Sequence, residues 1–110
     1  MKSYIIDDFA LLGLGNSTSL ITNVQVVLWG KEVYIDCVYE PDERLPYRFV
    51  FYDCREIKWN LLFPEDACDA EADIFDFLLG KENYSHPALF HTDIFDITIL
   101  YGSFKLEKNW

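Results

Sequence analysis

The chain has 110 residues, of which 51% are hydrophobic and 17% aromatic, with only 5 glycines and 4 prolines. This is ample material for one core and excludes a disordered chain, which is too polar to offset its conformational entropy by burial; a single globular domain over 1–110 is expected. Nine basic against nineteen acidic side chains leave a net charge of −10, so nucleic acid and anionic membrane surfaces are not expected partners, whereas a basic protein is.

The apolar runs fall far short of the roughly 20 residues that span a bilayer. The opening MKSYIIDDFALLGLGNS breaks a signal-peptide pattern at Asp7 and Asp8, so a cytoplasmic location is expected. Cys37, Cys54 and Cys68 form no C-x-x-C pair, which fits reduced thiols packed as small hydrophobes. In chain order, YIIDDFALLGL fits a short helix or a strand. GLGNSTS after it lacks the lysine and the strand-to-helix setting of a phosphate loop and reads as a turn.

NVQVVLWG and EVYIDCVYE are two β-branched and aromatic runs separated at Gly30-Lys31, the pattern of a hairpin. Val33, Ile35, Cys37 and Tyr39 alternate with Tyr34, Asp36, Val38 and Glu40, as in a half-buried strand. The charged loop PDERLP leads to YRFVFYDC, with Tyr47, Phe49 and Phe51 on one face. REIKWNLLF follows, with Ile57, Trp59, Leu61 and Phe63 on one face; Asp53 to Glu56 between them fits either a turn or a bulge in one long strand.

EDACDAEADIFDFLLG is the densest chemical signal. As a calcium loop from Asp69 it offers Asp69, Glu71 and Asp73 in alternation, but Ile74 stands where a glycine must turn the chain and Gly80 where a glutamate must ligate. As a helix it sorts well: Asp66, Asp69, Asp73 and Asp76 fall on one stripe, and Ala67, Ala70, Ile74, Phe77 and Leu78 on an adjoining arc. Pro64 before it, Asp66 as N-cap and Gly80 as a left-handed stop predict a helix over about 66–79. Beyond it, ENYSHP is a loop, ALFH a short strand, and DIFDITILYGSFKLEK alternates through Phe95, Ile97, Ile99 and Tyr101 before Gly102 marks a bend or a turn.

The expected fold class is therefore α+β and β-rich: an antiparallel sheet, curled or folded into a two-layer sandwich, with one main helix. The order of YRFVFYDCREIKW, an acidic insert and a terminal DITILYGSFKLEKNW resembles small uncharacterised bacterial β-rich domains, some of them with immunity or other protein-binding roles. That resemblance implies a style of fold and carries no site residues.

His86, His91 and Asp93 assemble a metal set on paper. However, two isolated histidines separated by a stiffening proline lack the short ligand pairs of a zinc site, so no metal and no cofactor is expected. Cys68 lies among carboxylates that would raise its pKa, which argues against a nucleophile, and nineteen acids single out no catalytic pair. The aromatic excess reads first as a core of large rings, and otherwise as a cavity lining or an interface patch.

The function expected is a non-enzymatic interaction domain, regulatory or immunity-like, that meets a basic protein through Asp66, Asp69, Asp73 and Asp76. The alternatives are a small-molecule binder or enzyme with an aromatic-lined pocket, and a homo-oligomer, most simply a homodimer, formed through an exposed sheet edge.

Overall fold

The computed structural model describes residues 18–40, 43–62 and 71–108. They form eight strands: β1 (Thr18–Val27), β2 (Glu32–Glu40), β3 (Leu45–Tyr52), β4 (Glu56–Leu61), β5 (Ala72–Leu78), β6 (Ala88–Thr92), β7 (Phe95–Leu100) and β8 (Ser103–Glu107). All pairings are antiparallel, in one sheet of order β4-β7-β6-β5-β1-β2-β3-β8. The residues read from the sequence as one face are those that face the core: Val33, Ile35, Cys37 and Tyr39 on β2, Tyr47, Phe49 and Phe51 on β3, and Phe95, Ile97 and Ile99 on β7, while Val38 and Val50, on the alternate positions, are buried as well.

Large rings fill that core. Phe49 lies 5.0 Å from Phe77 and 5.4 Å from Phe90, and Phe51 lies 4.9 Å from Tyr101, centroid to centroid. Strands β3 and β6 stand four places apart in the order, and in a flat sheet that is roughly 19 Å. The two halves of the sheet therefore face one another across the rings, while the sheet itself stays open. Its end strands are β4 and β8, each paired with a single neighbour among the described residues.

The turn from the first half to the second is made by two chain segments side by side. β3 passes into β4 through Asp53, at φ 53, and β7 passes into β8 through Gly102. The Gly102 N–H donates to Tyr52 O at 3.0 Å and the Arg55 N–H to Leu100 O at 2.8 Å, tying the two bends together. A side chain at 102 would meet Asp53 Cβ at 3.0 Å and Tyr84 Oη at 3.2 Å, so the corner holds a glycine for close approach. At Gly102 the chain bends, and of the two readings of Asp53 to Glu56 the bulge is the one seen: Tyr52 stands opposite Ser103 and Glu56 opposite Leu100, so one extra residue sits on this side, and the run after it pairs with β7.

The expected helix over 66–79 is corrected. Among the described residues there is no α-helix, and Ala72–Leu78 is a strand, so the class is all-β rather than α+β. The reason is a bulge. The pairing of β5 with β6 shifts register between Ile74 and Asp76, making Phe75 an extra residue. With one residue inserted, Asp73 and Asp76 both face outward although they stand three apart, and Ala72, Ile74 and Phe77 face the core. A spacing of three, read as a helical period, is here a strand period of two with an insertion. Its pairing also decides the outcome: Ala72 and Asp73 pair with β1 and the remainder with β6, so β5 joins the two halves of the sheet, and a helix there would leave β1 and β6 each unpaired on one side.

Gly80 keeps its requirement but changes its reason. At φ 78 it ends β5, and an added Cβ would sit 2.4 Å from the carbonyl oxygens of both His86 and Pro87. The ENYSHP loop is the turn closed by the bridge between Lys81 and His86. Residues 1–17, which carry the helix-or-strand reading of the N-terminus, lie outside the described residues, as do 63–70.

Candidate functional site

The expected hairpin forms between β1 and β2, but its loop runs from Leu28 to Lys31 rather than over Gly30-Lys31 alone, with Val27 opposite Glu32 as its last pair. Its tip is unusual. Leu28 and Trp29 hold positive φ angles of 54 and 61, a conformation that bulky side chains rarely adopt, and Gly30 follows at φ 98. The Lys31 N–H closes the turn on Leu28 O at 3.1 Å, and Lys31 O accepts from the Cys54 N–H at 2.8 Å. The tip is thus tied to the corner where β3 becomes β4, and the Cβ position at Gly30 is 3.9 Å from Ile57 Cδ1. On this anchored tip Trp29 is fully exposed, Leu28 is 57% exposed and Val26 53%. Such backbone strain persists only where its surroundings hold it, and here it presents an indole to solvent.

Next to the tip runs β4. Its Ile57, Trp59 and Leu61 stand opposite Ile99, Ile97 and Phe95, and therefore share the core-facing side of the sheet. Yet Trp59 is 51% exposed and Leu61 39%. The Trp59 ring stacks on Phe95 at 4.3 Å and 13°, which fixes its orientation while leaving its other face open. A core-type face on an end strand and an indole on a neighbouring hairpin are thus both left uncovered among the described residues, and exposed apolar side chains of this size mark interaction surfaces.

Two of the four sequence-derived acidic candidates fall within the described residues. Asp66 and Asp69 lie outside the described residues, whereas Asp73 and Asp76 project from the outer face of β5 and are half-buried. Other carboxylates join them there. Asp93 accepts from the Asp73 N–H at 2.9 Å, and the β6–β7 register sets His91 opposite Asp96, with its Nδ1 bonded to the Asp96 carboxylate. Asp76 stands opposite His91 on the other side, giving a cross-strand row Asp76, His91, Asp96. Burial, and then the nearby Asp93 charge, raises the Asp73 pKa above its usual value. Sequence reading missed Asp96. Taking Asp93-Ile94 as a two-residue turn would have placed it opposite His91.

The metal set considered from the sequence is not assembled: His91 bonds Asp96, Asp93 holds the β5 backbone, and His86 sits in the turn with Lys81. Among the described residues no group of three or more His, Cys, Asp or Glu is placed to hold a metal ion. Burial pushes the Cys37 thiol far up, and burial followed by Asp53 and Glu32 pushes Cys54 to about 11, so neither is poised as a thiolate. Cys68 lies outside the described residues.

Two surface grooves lie away from the tip and from β4. One, of about 750 Å³, is lined among others by Asp36, Arg48, Lys105 and Glu107, in which Arg48 Nε is bonded to Asp36. The other, of about 400 Å³, lies over Leu78, Leu89 and Pro87 with Lys81 and His86 at its rim.

The fold is similar to that in a crystal structure of an uncharacterized protein from Neisseria gonorrhoeae, with 11% identity over 87% of this chain and 95% of that one and a TM-score of 0.50. At that identity the likeness is one of fold, to a small β-rich bacterial protein. No protein-family model and no curated protein matches the sequence.

Proposed function

We propose that this domain is a non-enzymatic protein-interaction module, regulatory or immunity-like in kind, whose partner docks on the hairpin tip. The observation that carries this reading is Trp29, fully exposed on a strained turn that is hydrogen-bonded to the body of the domain. A fixed indole loses little entropy on contact, and tryptophan is the residue type most enriched among interface anchors. The small-molecule alternative has less support, because Phe49, Phe51, Phe77, Phe90 and Tyr101 fill the interior that a curled sheet would otherwise offer to a ligand.

The test is affinity capture with the wild-type chain and a Trp29→Ala variant of unchanged melting temperature, followed by identification and titration of the captured protein. A partner whose affinity falls at least about tenfold in the variant supports the reading. Equal capture by both chains overturns it.

A second contact is favoured by the outer-face carboxylates. Asp73 and Asp76, with Asp93 and Asp96 beside them and Asp66 and Asp69 preceding them in the chain, offer a basic partner an acidic platform. Replacing Asp73, Asp76 and Asp96 by Asn should slow association at low salt and leave the dissociation rate nearly unchanged. No change in the on-rate would remove this platform from the proposal.

A further inference from the structure

We infer that strand β4 pairs with the β4 of a second copy across a twofold axis at Trp59, joining two sheets edge to edge in a homodimer. The first argument is the backbone. The Leu62 N–H donates to Ile94 O at 2.8 Å, and in an antiparallel ladder the bonded residues alternate. Asn60 and Lys58, opposite Asp96 and Thr98, are therefore in the phase that bonds β7. Ile57, Trp59 and Leu61 are in the other phase and turn their N–H and C=O groups to the edge that no other described strand pairs with.

The second argument is that this edge is complementary to itself. A twofold axis at Trp59 sets Trp59 opposite Trp59 and Ile57 opposite Leu61, so every outward backbone group of these residues finds a partner, about six hydrogen bonds in all. The same register lays the uncovered apolar face of one copy beside that of the other, extending the core-facing side across the seam. Moving the axis to Lys58 would set two lysines face to face. Moving it to Asn60 would leave Ile57 without a partner within the strand. Register and side-chain chemistry thus select the same axis.

The third argument is charge. Two copies each carrying −10 repel, but β4 holds one acid and one base, Glu56 and Lys58, whose charged atoms lie 4.0 Å apart. The seam itself is neutral. At the opposite end of the sheet β8 offers less of such a face, since Phe104 and Leu106 are half-buried whereas Trp59 and Leu61 are exposed. The hairpin tip beside Ile57 would lie next to Leu61 of the second copy, so the dimer presents two tips.

Sedimentation equilibrium of the full chain over a concentration series tests this at low and at high salt. The expected result is a monomer–dimer equilibrium that tightens as salt screens the net charge, the reverse of the salt effect expected for a basic partner on the acidic face. Leu61→Pro removes an edge-facing N–H without touching the β7 ladder, and Trp59→Lys places like charges at the axis; each should weaken the dimer at least about tenfold. A strict monomer in the wild type, or a dimer that both substitutions leave intact, overturns the inference. The result does not depend on capture through Trp29, so the two proposals fail separately.

Discussion

Strands β3 and β4 follow one another in the chain and share a pattern, one apolar face alternating with a polar one, yet they end in opposite circumstances. Phe49 and Phe51 on β3 are wholly buried, and the neighbouring β2 and β8 flank them. Trp59 and Leu61 on β4 point to the same side of the sheet but lie at its end, where nothing among the described residues covers them. The lesson is physical: alternation specifies which side of a sheet a residue faces, while the order of strands, set by distant pairings, decides whether that side is covered.

The largest effect that would test this contrast is in β3. Phe49→Ala should cost about 3–5 kcal/mol, because the ring touches Tyr47, Phe51, Phe77 and Phe90 and its loss leaves a cavity at the meeting point of both halves. Chemical denaturation measures it; a loss below about 1 kcal/mol would mean that the halves do not meet there. The corner comes next. Gly102→Val should cost about 1–3 kcal/mol, since the new side chain must displace Asp53 or Tyr84 and so disturb the bend that sends β3 into β4. Thermal melts of that variant should broaden or fall; indifference would show that the corner has slack.

A smaller change is expected on the uncovered strand. Trp59→Ala should cost about 1 kcal/mol of monomer stability, the value of a ring stack on Phe95 with modest burial, measured at a dilution where no dimer remains. A loss like that of Phe49 would mean that β4 is covered after all.

The smallest effect has the opposite sign. Asp73 has its folded-state pKa raised by burial and by Asp93, so the folded chain holds its proton more tightly than the unfolded one. Its contribution is favourable at low pH and is lost as pH rises from the ordinary value of 3.8 through the raised one. Asp73→Asn should therefore raise the melting temperature slightly at neutral pH and flatten that part of the pH profile. A lower melting temperature would show the carboxylate to be stabilising.

Much of the sheet was legible beforehand. β1 and β2, the inward faces of β2, β3 and β7, the short strand at Ala88 and the bend at Gly102 all followed from alternation and turn residues, because these are local properties. β5 was not, because one inserted residue at Phe75 gives a strand the spacing of a helix, and only the partners β1 and β6 reveal which period applies. The helical stripe went with it: Asp73 and Asp76 keep a common face, but on a bulged strand, where Asp76 stands opposite His91. The candidate surface was legible only in composition. An excess of tryptophan announces either a core or an interface, and Trp29 and Trp59 became interface candidates only once the tip and the end strand were placed.

The most direct measurement is residue-resolved amide hydrogen exchange along β4 as the protein is concentrated. In dilute solution the Lys58, Asn60 and Leu62 amides should be protected by β7, while those of Ile57, Trp59 and Leu61 exchange fast. On concentration the second set should gain protection, with the β8 amide of Lys105 unchanged as control. Protection of Ile57, Trp59 and Leu61 that is already full at dilution, or absent at every concentration, would contradict the account of β4 as an open edge that closes on its own copy.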